Sequence, residues 1–430
     1  MKKKYRIILY TSIFLLCVVA SIILVVKKSN SVYEEESKPK VVKHKSMLSM
    51  NLEQTAGAGD YKTVTQSSWP TEGYKFNAEL SRCENGSTLS WDDTKKAVIV
   101  SGNLSDKCYV YFDIYQPTLA EYIKSQYTGT QGENNIYYHD SDLANGAGDN
   151  SYRYAGANPN NFVCFGSDTS PCPTDNLYRI IGVFGENYHG VTGKQLVKLI
   201  KYDYMTTDEL GTDGDYSQTY KEWGMDSTYK GTYGDGERIG VYYWNYKATG
   251  SATNTWSTSL LNKTNLNTNF INNIGTTWAN KIATVTWKVG GNTSANISDV
   301  VPATTYQNEI VNPVTTNTTD NATTYSAKIG LMYVSDYGFA ASPEAWTLTM
   351  SSYNNTTATN NNWMYMGLYE WTISRNADRS NFAFYVNYDG FVDYFSRVDD
   401  GFGVRASFSL ESSVSYVSGS GSMSDPIVIN

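Results

Sequence analysis

The sequence predicts a β-rich extracellular protein of two or more modules that follow one membrane-spanning helix. Its 430 residues exceed what a single compact core usually holds. Charged residues are only 18% of the chain and aromatic residues reach 14%, a balance that favours strands and polar loops over helices. The formal charge of -8, without a long basic run after the N-terminus, argues against a nucleic-acid partner.

The N-terminus carries the features of a signal anchor. Residues 1–6 form a basic cytoplasmic tail, and the apolar run from Ile7 to Val26 has the roughly 20 residues of one helical bilayer crossing. A signal peptide cleaved near Ala20 is the alternative, although the apolar run continues past that residue. The positive charge before the run predicts that the N-terminus lies inside and that the ectodomain lies on the cell surface. The polar stretch 27–73 lacks periodicity and is expected to be a linker or stalk.

Residues 74–115 have the pattern of a small β module. The runs Ala97–Val100 and Cys108–Tyr115 are strand-like, and Ser90–Lys96 supplies a turn between strands. Cys83 and Cys108 bracket this region. We therefore expect the two cysteines to cross-link it.

A second local cysteine pair, Cys164 and Cys172, completes the set of four cysteines in the predicted ectodomain. Four cysteines allow three pairings, of which we predict the two local ones, Cys83–Cys108 and Cys164–Cys172. A zinc site is the alternative. Without a Cys-x-x-Cys motif or a nearby histidine, it is the weaker interpretation.

Residues 116–430 are predicted to form one larger domain. Pro117–Tyr127 is the best helix candidate, since Thr118 and Glu121 have the spacing of a capping box. The apolar runs Asn176–Phe184 and Gln195–Tyr202 predict a buried strand pair.

Further along the same domain, Val301–Tyr325 is expected to be a long loop, and Lys328–Ala340 is expected to be a buried strand. The tail after Leu410 is expected to form a last hairpin, with GSGS as its turn.

The segment Trp371–Leu410 is where we expect a ligand to bind. Its alternating apolar and polar residues predict short antiparallel strands with one face in the core and one outside. Tyr, Asn and Arg also dominate antibody paratopes, and Arg379 and Arg397 are candidate anchors. The predicted ligand-binding residues are Asn376, Asp378, Arg379, Asn381, Tyr385, Asn387, Tyr388, Asp389, Phe391, Asp393, Tyr394, Phe395, Arg397, Asp399, Asp400 and Phe402.

Several motifs together carry a resemblance to a known family. NLYRIIGVF, VKLIK, KIGLMYVSDYG, EWTIS and GFGVRASFSL resemble bacterial surface proteins with a C-type-lectin-like domain, which is related to the fold of the formylglycine-generating enzyme. Residues Gly403–Arg405 resemble the closing motif of these domains, although Ala406 occupies the position at which the domains usually have proline. The resemblance covers Tyr74–Asn430. It implies an irregular α+β fold with twisted antiparallel sheets, a few helices and a binding face near the C-terminus.

Some members of this group are variable proteins of diversity-generating retroelements, in which mutated Asn codons cannot become Lys, Glu, Gln, Trp or Met. None of these five residue types occurs from Asn376 to Gly403, although they lie on both sides. The resemblance therefore implies a hypervariable face on a fixed frame. Chance avoidance in a chain rich in Asn and Tyr is the alternative.

The function expected from these observations is binding of an extracellular protein or glycan, without catalysis, cofactor or metal. A formylglycine-generating type of enzyme needs cysteines in the C-terminal half of the domain, and the last one here is Cys172. His139 beside Asp140 is expected to be a surface pair, and Asp213, Asp215 and Asp235 lack the pattern of a calcium loop and are expected in a solvated loop. Another enzyme, or a structural surface protein without a specific ligand, remains the alternative.

Overall fold

The computed structural model describes residues 48–65, 67–71, 73–217, 239–313 and 322–430. The chain divides into two compact units, Met1–Tyr115 and Gln116–Asn430. The predicted basic tail and membrane span at 1–26 lie outside the described residues. Within the ranges given above, no helix has the length and apolar character needed to cross a bilayer.

The first unit is a four-stranded sheet with a separate hairpin. The sheet has the order β2-β1-β6-β3, with β1 parallel to β6, and the hairpin pairs β4 with β5. Met50, Leu52, Val110 and Phe112 form its buried core. Its strands are β1 (Leu48–Glu53), β2 (Tyr61–Val64), β3 (Tyr74–Cys83), β4 (Thr88–Asp92), β5 (Ala97–Ser101) and β6 (Cys108–Ile114).

The linker prediction for 27–73 is wrong where the structure describes it, because β1 and β2 lie there. Polar residues on β1 interrupt the apolar pattern by which a strand is recognised in a sequence. The amide of Asn51 donates to the carbonyl of Val110 at 3.3 Å, and the carboxylate of Glu53 accepts the backbone N–H of Ile114 at 2.9 Å. Buried polar groups are stable when they are hydrogen-bonded. A buried strand can therefore lack the alternating apolar residues that sequence patterns rely on. The predicted disulfide Cys83–Cys108 is confirmed and joins β3 to β6.

The second unit contains two larger sheets and two small strand pairs. One sheet has the order β16-β21-β11-β10-β8-β7 with β9 on β10, and the other has the order β12-β20-β17-β18-β19 with β14 on β17. The pairs are β13–β15 and β22–β23. The strands are β7 (Ile136–His139), β8 (Ser151–Tyr154), β9 (Phe162–Cys164), β10 (Leu177–Phe184), β11 (Leu196–Lys201), β12 (Val241–Tyr243), β13 (Val285–Lys288), β14 (Gly291–Asn292), β15 (Thr324–Ala327), β16 (Ile329–Gly330), β17 (Glu370–Asn376), β18 (Phe382–Val386), β19 (Val392–Arg397), β20 (Gly401–Gly403), β21 (Ser407–Ser409), β22 (Tyr416–Ser418) and β23 (Val428–Ile429).

The helices of this unit are short. They are α1 (Leu119–Ser125), α2 (Glu186–His189), α3 (Thr207–Leu210), α4 (Ile271–Asn273), α5 (Gly275–Ala279), α6 (Pro302–Tyr306), α7 (Val334–Ala340) and α8 (Thr356–Thr359). Two π-helices span Leu261–Phe270 and Gln307–Val311. Single 3₁₀ turns span Glu133–Asn135, Thr174–Asn176, Trp256–Thr258, Ser294–Asn296, Pro343–Thr347 and Met350–Ser352.

The fold class stated above therefore needs correction. Sheets dominate the described chain, the helices are few and short, and the predicted membrane-spanning helix is not among them. Several individual elements are confirmed. Thr118 and Glu121 form the predicted capping box of α1, and β10 pairs with β11 as expected. The disulfide Cys164–Cys172 is also present, and β22 and β23 form the last hairpin.

The strand predicted over Lys328–Ala340 is wrong beyond β16, because α7 occupies its second half. The Glu309 carboxylate accepts the first backbone N–H groups of this helix, Val334 at 3.1 Å and Ser335 at 2.9 Å. Every residue of α7 is buried. Because all sides of the helix are buried, its polar Ser335 and Asp336 included, its apolar residues show no helical period that would distinguish it from a buried strand. The loop predicted over Val301–Tyr325 likewise begins with α6 and a π-helix.

Candidate binding surface on the C-terminal hairpin

The predicted binding segment folds into β17, β18, β19 and β20 of one sheet. β18 pairs antiparallel with β17 and with β19. Between Ala383 and Tyr385 the register with β19 shifts, so that Tyr394 and Phe395 together face one residue of β18. This bulge re-aims side chains that strict alternation would have placed elsewhere.

The sixteen predicted residues occupy three environments, in contrast to the single outward face expected. Four are exposed, namely Asp378, Arg379, Phe395 and Arg397. Eight are half-buried, namely Asn381, Tyr388, Asp389, Phe391, Asp393, Tyr394, Asp399 and Asp400. Asn376, Tyr385, Asn387 and Phe402 are buried, and the predicted outward orientation is wrong for these four.

Two of the buried residues are aromatic parts of the core. Tyr385 packs against Phe402 with 4.9 Å between ring centroids, and Phe402 lies 4.4 Å from Trp371 and 4.9 Å from Tyr369. The Tyr385 hydroxyl donates to Asp393 at 2.8 Å. Burial raises the pKa of Tyr385. We call Tyr369, Tyr385, Tyr388 and Phe402 the tyrosine cluster. It lies at the turn end of the β18–β19 hairpin.

The two buried asparagines shape turns. The side-chain oxygen of Asn376 accepts the backbone N–H groups of Asp378 at 2.8 Å and Arg379 at 3.2 Å. Asn387 begins the β18–β19 turn, in which its carbonyl accepts the N–H of Gly390 at 2.9 Å. Local bonding of this kind is the usual role of asparagine in turns, and it draws the amide inward.

At the opposite, open end of the hairpin, an aromatic and cationic patch faces solvent. Phe395 is 57% exposed, the largest value among the large apolar side chains, and its ring lies 5.7 Å from that of Phe382. The Arg379 guanidinium lies over both rings, at 4.7 Å from Phe395 and 5.1 Å from Phe382. We call Arg379, Phe382 and Phe395 the arginine–phenylalanine patch.

The bulge that exposes Phe395 is held by one carboxylate. Asp393 accepts the backbone N–H of Tyr394 at 2.6 Å and that of Phe395 at 3.2 Å through the same oxygen. Its other oxygen accepts the hydroxyl of Tyr385. Backbone groups that lose their ladder partners at a bulge need such substitutes.

Arg379 is carried by a loop that a distant asparagine fixes. The buried amide nitrogen of Asn254 contacts three carbonyl oxygens of the β17–β18 connection, at 2.6 Å from Asn376, 3.0 Å from Arg379 and 2.7 Å from Phe382. The backbone N–H of Asn254 also donates to Ser380 at 2.6 Å. The loop is therefore ordered before any ligand arrives. No local sequence pattern indicates this contact, because Asn254 is more than a hundred residues away.

The two predicted anchor arginines differ in charge balance. Arg397 forms a bidentate pair with Asp399, with 2.9 Å from Nε to Oδ1 and 3.1 Å from Nη2 to Oδ2. In the part of the chain that the structure describes, the Arg379 guanidinium has no ion pair and no hydrogen bond. The charge of Arg397 is therefore already paired, whereas no carboxylate among the described residues pairs with Arg379.

The remaining candidates serve structure. The Asp215 carboxylate is buried and accepts the N–H groups of Tyr246, Leu260 and Leu261, so the solvated-loop prediction is wrong for Asp215; Asp235 lies outside the described residues. His139 is also buried, in contrast to the surface pair expected, and burial lowers its pKa well below the usual value.

Arg405, of the predicted closing motif, is a structural residue as well. It donates to both oxygens of Glu370 at 2.8 Å and to the carbonyl of Met364 at 2.7 Å. All three hydrogen bonds are buried. The motif therefore fixes the start of β17 and is not exposed to a ligand.

Comparison of the chain with protein-family models, curated proteins and solved structures finds no match.

Proposed function

We propose that this chain is an extracellular binding protein that contacts another protein through the arginine–phenylalanine patch. The observation that carries the proposal is the Arg379 guanidinium, which pairs with no carboxylate among the described residues and lies over the exposed ring of Phe395. The loop that carries Arg379 is fixed by Asn254. Arginine and aromatic residues are the usual hot spots of protein interfaces. A loop that is already ordered loses less conformational entropy when it binds.

The chemistry of the patch favours a partner with an acidic group beside an apolar surface. A carboxylate would meet the free donors of Arg379, and an apolar side chain would cover Phe395. Two disulfides support an oxidising compartment outside the cytoplasm. Placement on the cell surface stays a prediction that rests on the apolar run at 7–26.

Arrays of extracellular proteins and of glycans, probed with the full chain, test this proposal. We compare the wild type with an R379S/F395S double variant, and use R397S as the matched control because its charge is already paired. Protein spots bound by the wild type and the control should lose at least about tenfold in affinity with the double variant. Equal binding by all three proteins, or binding confined to glycans, contradicts the proposal.

The relation to variable proteins of diversity-generating retroelements also stays a proposal. Buried positions such as Tyr385 and Phe402 tolerate few replacements, since cores respond to small volume changes. Sequenced isolates of the same locus should therefore vary at exposed positions such as Arg379 and Phe395 more than at those two. Changes spread evenly along the gene contradict the idea.

A further inference from the structure

A cleft of about 280 Å³ lies in the second unit. The loop before β9, the start of β10 and the segment 362–366 contribute to its walls. Arg179 of β10 lines it and is only 5% exposed. None of the sixteen residues predicted for ligand binding takes part in this cleft.

The Arg179 guanidinium is held in a fixed orientation. It lies 4.3 Å from the ring centroid of Phe162 and 4.7 Å from that of Trp363. Its Nε donates to Oδ1 of Asn161 at 2.7 Å, and its Nη2 donates to the carbonyl of Pro159 at 3.0 Å. Asn161 is itself tied to the carbonyl of Ile180 at 2.8 Å. The group is preorganised in the way that binding arginines require.

Arg179 differs in its charge balance from Arg405 and Arg153, whereas Arg375 is likewise buried without an ion pair among the described residues. Arg405 has Glu370, and Arg153 has Asp149 at 2.8 Å. Within the described ranges no carboxylate pairs with Arg179, and burial lowers its pKa to about 9. A guanidinium has five N–H groups; the two bonds to Asn161 and Pro159 leave three without an acceptor among the residues that the structure describes. A buried cation without a counter-charge is costly, so a ligand that supplies one is stabilised.

The other walls of the cleft define the size and polarity of the ligand. Asn158 and Asn160 are exposed at the rim, and half-buried Tyr202 packs edge-on against Phe162 at 5.2 Å. Met366 and Met423 supply apolar surface. The volume is near the lower limit of ligand pockets, which start at about 300 Å³. It suits one sugar unit or one terminal amino acid.

We propose that this cleft binds the carboxylate of a small ligand, with Arg179 as the anchor and with Asn160 and Tyr202 as positioning residues. The planar fork of the guanidinium matches a carboxylate, and the amides and the hydroxyl at the walls match hydroxyl or amide groups next to it. An acidic sugar unit and a peptide C-terminus present the same chemistry. This site is independent of the arginine–phenylalanine patch.

Isothermal titration calorimetry on the full chain distinguishes these sources. Glucuronate is compared with glucose, and the dipeptide Ala-Ala with its C-terminal amide. At least one acid should bind about tenfold or more tightly than its neutral match, and the acid that does so identifies the source. If neither acid binds more tightly than its neutral match, the proposal is overturned.

Variants locate the binding. Y202F and N160A each change one exposed or half-buried group. Each should lower the affinity for the acid by about three- to tenfold without changing the thermal midpoint. R179K keeps the positive charge but loses the planar guanidinium, and should lower the affinity for the acid further. R379S/F395S should bind the acid as the wild type does. Unchanged affinity in Y202F, N160A and folded R179K places the carboxylate elsewhere and also overturns the proposal.

Discussion

The two ends of the β18–β19 hairpin have similar compositions but opposite environments. At the turn end, Tyr385 is only 5% exposed and Phe402 of β20, which packs against it, is 3% exposed, whereas Phe395 at the open end is 57% exposed. The difference comes from partners far away in the chain. Tyr369 and Trp371 cover the rings at one end, and Asn254 anchors the loop at the other. Composition therefore identified an aromatic segment but not which rings a ligand can reach.

The largest expected difference between the ends is in stability. Replacing Tyr385 with alanine removes a buried ring and leaves a cavity, so the free energy of unfolding should fall by about 3–5 kcal/mol. Replacing Phe395 with alanine removes a ring that is more than half exposed, and should change the free energy of unfolding by less than about 1 kcal/mol. Urea denaturation of the two variants measures both values. Similar losses for the two would remove the distinction between the ends.

A smaller loss is expected from N254A, which takes one amide away from three backbone carbonyls. Leaving these buried or part-buried acceptors without the amide should lower the free energy of unfolding by about 1–3 kcal/mol. Hydrogen exchange should also rise in residues 376–382. N160A, a change at an exposed asparagine, is the matched control. Unchanged exchange in this loop would show that Asn254 does not order it.

The β19 bulge at Tyr394 and Phe395 lies between the two ends of the hairpin, and its dependence on Asp393 can be tested. D393A removes the carboxylate that accepts the N–H groups of Tyr394 and Phe395 and the hydroxyl of Tyr385, and should lower the free energy of unfolding by about 1–2 kcal/mol. D393N retains one acceptor oxygen and should lose less. If D393A is as stable as the wild type, the bulge does not depend on this side chain.

The smallest effect is expected at Arg397, whose pair with Asp399 is exposed to solvent. R397A should leave the urea midpoint unchanged within error, because screening and side-chain entropy offset most of the attraction. A midpoint lowered as much as that of D393A would mean that the open end of the hairpin is not a free surface.

Features fixed by near neighbours were predictable from the sequence. The capping box at Thr118, the paired strands β10 and β11 and the two local disulfides need only short-range patterns. Strand β1 was missed because Asn51 and Glu53 are buried with hydrogen bonds, and α7 was mistaken for a strand because it is buried on all sides, polar residues included, and shows no helical period of apolar residues.

The candidate site was predicted only in part, for the same physical reason. Alternation located its strands, but the Asp393 bulge and the contacts of Asn254 depend on the folded arrangement. Arg179 lies in a segment that reads as an ordinary buried strand, and its missing counter-charge is visible only once its neighbours are known.

Hydroxyl-radical footprinting of the native chain compares the two ends most directly, because Phe395 and Phe402 are the same residue type with the same intrinsic reactivity. The structure predicts strong oxidation of Phe395 and almost none of Phe402. Equal oxidation of the two rings, or stronger oxidation of Phe402, would contradict the conclusion that the hairpin exposes its open end and buries its turn end.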